Sequence, residues 1–221
     1  IKLLNLGLKV PKKYSPRIFL IEKEKLHDKI PKFGIDVNKY NKGHVLVIGG
    51  EMAGAARISA ISSRKIGAGL STIAVLRKFS KYYQGVEPGT ILTQFKLSDL
   101  KKKEVMVIGP GLGKFISQEF ITKLIKAFSG PIIVDADALS IFKDCKKNFY
   151  NLIKKKQNIV ITPHEGEFSR VFDINLENKI QDTLLASKLI NNAVLFKGND
   201  TVLAFPDEEI WIDNVSTNKL A

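Results

Sequence analysis

The chain has 221 residues, 44% of them hydrophobic and 26% charged, with 35 Lys+Arg against 22 Asp+Glu, a formal net charge of +13 and one cysteine. This is enough apolar material for one sizeable core, which excludes wholesale disorder, and no apolar run reaches the roughly eighteen residues of a membrane span. Cys145 and three scattered histidines exclude an internal disulfide and a Cys/His zinc cage.

The first residues, Ile1, Lys2 and Leu3, are too short an apolar stretch for a signal peptide, so the chain reads as soluble and cytoplasmic. Its positive charge sits mostly on short lysine groups, such as Lys101 to Lys103 and Lys154 to Lys156, with arginine confined to positions 17, 57, 64, 77 and 170. Base and phosphate recognition on nucleic acid favours arginine forks and stacking rings, and no basic stripe interleaved with aromatics occurs. The charge reads as a solvated surface, and neither nucleic acid nor a membrane is expected as partner.

Residues 1–43, punctuated by Pro11, Pro16 and Pro31, read as a linker or extended arm with short ordered pieces, and the compact domain is expected over 44–221. Within it, residues 45–48 read as a buried strand ended by Gly49-Gly50. Residues 53–65 follow as a small-residue helix with Ile58 and Ile61 on one side. Strands are expected at 71–75 and 105–108, then a helix at 118–128 with Phe120, Ile121, Leu124, Ile125 and Phe128 on one face. Two apolar strands (132–134 and 159–161), a helical stretch (184–190), the run 193–196 and a hairpin of 201–205 with 209–213 complete the pattern. Continuous apolar strands alternating with helices imply an α/β fold with a mostly parallel sheet covered on both faces. Ligands in such folds bind beyond the carboxyl ends of the strands.

Three strand ends carry unusual punctuation: Gly49-Gly50, the run Gly109-Pro110-Gly111-Leu112-Gly113, and the run Thr162-Pro163-His164-Glu165-Gly166-Glu167. A glycine-rich turn before a helix brings backbone N–H groups to an anion. The second loop also resembles a dinucleotide fingerprint, but Lys114 stands where its third glycine belongs, and a ligand-free tight turn is equally compatible. His164 and Glu167, three apart on a first helical turn, could address a substrate hydroxyl or a metal-bound phosphate, or could simply cap the helix. Asp135 is the functional candidate of the Asp135-Ala136-Asp137 pair and Asp137 the expected helix cap, both pointing the same way if the chain is extended. Lys197-Gly198-Asn199-Asp200-Thr201 could hold a nucleotide phosphate or be an ordinary Gly-Asn-Asp turn. Trp211, alternating with Ile210 and Ile212, is explained by packing. His27, His44 and Cys145 read as solvated or structural.

In this order the motifs resemble the ADP/ATP-dependent NAD(P)H-hydrate dehydratase family of the ribokinase-like superfamily. The carriers are 44–50 (HVLVIGG), Gly54-Ala55-Ala56, Gly67 to Leu70, 107–113 (VIGPGLG), 134–139 (VDADAL), 162–167 (TPHEGE), 197–201 (KGNDT) and 214–221 (NVSTNKLA). The resemblance implies a ribokinase-like three-layer sandwich, a central mostly parallel sheet with helices on both faces. It implies an enzyme that repairs hydrated NADH and NADPH, using ADP or ATP with Mg²⁺ to phosphorylate the added hydroxyl before elimination. By position, Ala55, Gly109, Gly111, Asp135, His164 and Glu167 would bind substrate, Lys197, Gly198, Asn199, Asp200 and Thr201 would hold the nucleotide, and Glu167 would touch the metal. Leu6-Gly7-Leu8 resembles the tail of the epimerase domain that precedes this one in fused enzymes.

The chain departs from the pattern. The family's Gly-x-Gly-Asp segment, with its catalytic aspartate, is expected beyond Ala221, the opening His-Lys-Gly reads Asn38-Lys39-Tyr40, and Gly-Asn-Pro reads Thr217-Asn218-Lys219. The expectation is weak turnover by this polypeptide alone, and a homo-oligomer or complementing fragment covering apolar sheet surface. The competing readings are a sugar or vitamin kinase of the same fold and an inactive nucleotide-binding remnant.

Overall fold

Short β-branched runs build the centre of the molecule. In the computed structural model, which describes residues 17–215 apart from 28, 29, 32, 33 and 35, ten strands form one sheet: β1 (Ile18–Leu20), β2 (His44–Gly49), β3 (Leu70–Val75), β4 (Thr90–Gln94), β5 (Val105–Ile108), β6 (Ile132–Val134), β7 (Ile159–Ile161), β8 (Ala193–Phe196), β9 (Thr201–Ala204) and β10 (Ile210–Asp213). Their order is β1-β10-β9-β8-β7-β6-β5-β2-β3-β4. The strands from β2 to β8 run parallel, in a register that aligns Val47 with Ile73 and Val107, and Val134 with Ile108 and Ile161. Leu46, Ile48, Met106, Ile108, Val134 and Ile161 are fully buried, as strands covered on both faces must be.

The helices are α1 (Lys23–His27), α2 (Ala53–Lys65), α3 (Gln118–Ala127), α4 (Asp137–Ser140), α5 (Lys146–Lys154), α6 (Glu165–Val171) and α7 (Lys179–Ile190). From β2 the chain steps outward to β3 and β4, then returns to the other side of β2 and continues through β5, β6, β7 and β8. Right-handed crossovers in opposite directions put α2 on one face and α3, α5 and α7 on the other. The result is a three-layer α/β sandwich whose topological switch point lies between β2 and β5. Among the described residues no helix is long and apolar enough to cross a membrane.

Local chemistry fixes the helix ends. Ser117 Oγ accepts the Phe120 N–H at 3.2 Å to start α3, and Asn178 Oδ1 accepts the Ile180 and Gln181 N–H groups to start α7. α7 stops at Asn191, whose φ of 50° is left-handed. The expected face of α3 is buried through Ile121, Leu124, Ile125 and Phe128, each contributing roughly 1.5–3 kcal/mol.

The fold differs from the sequence expectation in several places. α2 packs through Ala56, Ala60 and Ser63, while Ile58 is 67% exposed, because small residues let this helix sit close on β2 and β3. α7 begins five residues earlier than expected, at Lys179. The strand β4 and the helix α5 were not expected. Ile18–Leu20, inside the expected arm, form β1, paired in parallel with β10, and Phe19 stacks on Trp211 with centroids 4.9 Å apart. Leu6-Gly7-Leu8 and Thr217-Asn218-Lys219 lie outside the described residues.

Candidate active site

The loops leaving β2 and β5 meet at the switch point. At Gly50 a Cβ would stand 2.3 Å from the Leu112 Cα, and at Gly109, where φ is +129°, it would stand 1.7 Å from the Asp135 carbonyl oxygen. No side chain fits either position, so the two backbones touch. The Glu51 N–H donates to the Leu112 carbonyl at 3.1 Å and the Met52 N–H to the Gly111 carbonyl at 2.9 Å. Gly111 thereby faces Ala55 on the first turn of α2, with the Ala55 Cβ 2.9 Å from the place of the missing one. From the exit of β3, the buried Tyr83 hydroxyl donates to the Gly50 carbonyl at 3.0 Å, and burial pushes its pKa up to about 12. Lys78 Nζ donates to the Phe115 carbonyl at 2.8 Å, tying the same exit to the glycine loop.

A charged chain crosses the ends of β6, β7 and β8. Lys197 Nζ lies 2.7 Å from Asp135 Oδ1 and 3.8 Å from Glu167 Oε2. Glu167 Oε1 lies 3.3 Å from His164 Nε2, and its Oε2 accepts the His164 N–H at 2.9 Å. The Lys197 N–H donates to the Pro163 carbonyl at 2.9 Å, which aims the lysine back over β6. Glu167 is buried, at 8% side-chain exposure, whereas His164 is 53% exposed. His164 is the N-cap of α6, accepting the Gly166 N–H on Nδ1 at 3.0 Å, and Glu167 completes a capping box. The cap locks Glu167 and leaves His164 open to the rim.

Asp135 and Asp137 do not point the same way. Ala136 between them has φ 48° and ψ −119°, so the chain turns instead of extending. Asp135 goes to Lys197, while Asp137 Oδ2 accepts the Gly113 N–H at 2.8 Å. The carboxylate expected to cap α4 instead pins the glycine loop, and α4 has no side-chain cap.

The Lys197–Thr201 turn is propped from α7. Lys179 Nζ lies 3.3 Å from Asp200 Oδ1 and 3.5 Å from the Lys197 carbonyl, over the Phe196 ring at 4.8 Å. Gly198, Asn199 and Asp200 are exposed, and Thr201 Oγ1 donates to the Gly198 carbonyl at 3.4 Å. Lys179 and Tyr83 sit in no motif that the sequence shows, and Asp137 is legible there only as a helix cap.

The residues do not form a resident metal cage. Both Glu167 oxygens are engaged as described, and no group of three or more His, Cys, Asp or Glu able to hold a metal occurs among the described residues. Outside the rim, His44 Nε2 meets Thr72 Oγ1 at 2.6 Å, and Cys145 Sγ meets Gln118 Oε1 at 3.2 Å, both in packing contexts.

The profile of the NAD(P)H-hydrate dehydratase family matches residues 45–221. The chain belongs to that family. The bifunctional NAD(P)H-hydrate repair enzyme Nnr of Coxiella burnetii is 32% identical over 204 residues, which cover 87% of this chain and 40% of the relative. The chain therefore spans about two fifths of that relative's length. Two solved structures share the ribokinase-like fold. A ribokinase-like superfamily protein of Enterococcus faecalis V583 has a TM-score of 0.74 at 21% identity, covering 90% of this chain and 72% of the other. The ADP/ATP-dependent NAD(P)H-hydrate dehydratase of Bacillus subtilis, co-crystallised with ATP/Mg²⁺, has a TM-score of 0.73 at 20% identity, covering 93% and 76%. In this dehydratase-family chain, Ala55, Gly109, Gly111, Asp135, His164, Glu167 and the 197–201 turn all lie on the rim formed by the carboxyl ends of β2, β5, β6, β7 and β8.

Proposed function

We propose that this chain carries a nucleotide-dependent dehydratase activity that restores hydrated NADH and NADPH. The observation behind the reading is the Asp135–Lys197–Glu167–His164 chain, set across three strand ends beside the glycine loops of the switch point. A hydrated nicotinamide ring would lie along the Ala55–Gly111 seam, where backbone replaces side chains, with the half-exposed His164 opposite. The phosphates of ADP or ATP would lie on the Lys197–Thr201 turn, with Mg²⁺ travelling on the phosphate oxygens, where that ion usually keeps part of its water shell.

The chemistry has two stages. The substrate hydroxyl oxygen bonds to the terminal phosphorus as the phosphorus–oxygen bond to the rest of the nucleotide breaks, and the hydroxyl proton passes to water. The carbon–oxygen bond then breaks, phosphate departs with the electron pair, the ring nitrogen lone pair forms C=N, and loss of a ring-carbon proton restores the dihydronicotinamide. Phosphorylation turns a poor leaving group into a good one. The Lys197 ammonium, held by Asp135, is a fixed positive charge for the transferring phosphoryl group, and positioning with electrostatics supplies the acceleration. Glu167 orients His164 and balances Lys197 without needing to move.

The test incubates the chain with hydrated NADPH, ADP or ATP, and Mg²⁺, and follows recovery of dihydronicotinamide absorbance. Nucleotide-dependent recovery, even slow, supports the reading. Phosphate transfer to a sugar without recovery overturns it in favour of a kinase. Nucleotide binding without either reaction overturns it in favour of a binding module.

A further inference from the structure

Beside the glycine loop lies a cleft of about 460 Å³ that the roles above do not use. It begins one residue past Gly111, at Leu112, and is walled by the start of α3, by α4 and by α6. Its floor is apolar, with Leu112, Ile116, Ile121 and Ile141, and its rim carries Lys114, Lys143 and Arg170. All three cations are exposed, and none of their side chains has an ion-pair or hydrogen-bond partner among the described residues. The single carboxylate in the cleft, Asp137, is engaged by the Gly113 N–H. Arg170 is brought in by α6, the helix that His164 caps, and its guanidinium lies 3.8 Å from where a Gly166 Cβ would be. The cleft and the His164 edge of the site therefore share one helix and one loop.

A pocket of this size holds a flat, nucleoside-sized group. An apolar floor suits the face of a purine, and three cations against one occupied carboxylate suit a phosphomonoester, which is close to dianionic at neutral pH. We propose that the cleft receives the adenosine end of the hydrated dinucleotide and that Lys114, Lys143 and Arg170 grip the 2′-phosphate by which NADPH differs from NADH. The phosphorylated hydrate is then the preferred substrate. This rests on the dehydratase reading and adds a specificity site to it.

The test measures binding of hydrated NADPH and hydrated NADH to the full chain by calorimetry, for the native protein and for Lys143→Gln and Arg170→Gln. Both substitutions are at exposed positions, and unchanged thermal unfolding checks that the fold is kept. The expected result is tighter binding of the NADPH form by about tenfold, a loss of about tenfold in each variant for that form, and less than about threefold for the NADH form. Lys143→Arg should retain the preference. Equal losses for both forms would overturn the proposal by placing the cations on the shared diphosphate, and no loss for either would overturn it by leaving the cleft unused. In both cases the dehydratase reading stands. Failure of the native chain to bind either hydrate removes that reading and the subsite with it.

Discussion

The two rims of the sheet are both rich in lysine and both hold a cleft, of about 460 Å³ at the carboxyl ends and about 430 Å³ at the amino ends, yet they are built for different tasks. At the amino rim Lys126 stands in the last turn of α3, and Lys155 and Lys156 stand at and just past the C-cap of α5, where a positive charge complements the helix dipole. Lys156 donates to the Phe128 carbonyl. Beside it, Asn192 Nδ2 reaches the Ile153 and Lys156 carbonyls at 3.0 and 2.8 Å while its Oδ1 accepts the Ile159 N–H at 2.9 Å. The polar groups there close off helix ends. At the carboxyl rim the cation at the centre, Lys197, is held by carboxylates from the loop after β6 and from the first turn of α6, and three more cations face a cleft. Under the proposed function the same residue type serves structure at one rim and recognition at the other, and the difference lies in whether backbone or convergent side chains hold the ammonium.

The largest expected effect on that contrast comes from Gly109→Ala. With φ at +129° and a Cβ driven to 1.7 Å from the Asp135 carbonyl oxygen, denaturant unfolding should show a loss of about 4 kcal/mol or more. A variant of native stability would mean that the rim loops are not in backbone contact. Next comes a matched pair of lysine substitutions. Lys197→Gln should cut hydrate turnover by about a hundredfold or more with little change in unfolding temperature, whereas Lys156→Gln should leave turnover intact and cost about 1 kcal/mol of stability. The reverse pattern would break the assignment of the two rims.

A further effect is a pH dependence at Tyr83. Burial raises its pKa to about 12 from an ordinary value of about 10, so between these values the folded chain holds a proton that the unfolded chain has released. Its contribution to stability is fully present below the ordinary value and is lost as pH rises through the folded one. The measured fall in unfolding free energy over this interval should be shallower in Tyr83→Phe than in the native chain. Superimposable profiles would mean that the hydroxyl is solvated and does not hold the Gly50 turn.

Most of the sheet was readable because its strands are dense β-branched runs bounded by glycine, so β5, β6, β7 and β8 fall where the pattern predicts. The edge strand β4 was hidden because Ile91 and Leu92 are both 40% or more exposed, which leaves no alternation to detect. Helix α5 was hidden because Lys146-Lys147 and Lys154 read as a solvated charge run while only Phe149, Leu152 and Ile153 are buried. In the rim, the motifs marked loops that the fold brings together, since glycines at close approaches leave a trace in sequence. The pairing of Lys197 with Asp135, 62 positions apart, leaves none. The divergence of Asp135 from Asp137 depends on one backbone angle at Ala136, a residue type with no preference for left-handed φ.

The short strand β1 has a consequence for handling the protein. The β9–β10 hairpin would otherwise present the open hydrogen-bonding side of β10 to solvent, with Ile210 and Ile212 in line. Ile18–Leu20 occupies that side, and the Ile21 N–H extends the pairing to the Ile212 carbonyl at 2.9 Å. Trimming the chain back to the start of β2 would uncap a ready template for strand addition, turning a self-terminated sheet into one that can grow from molecule to molecule.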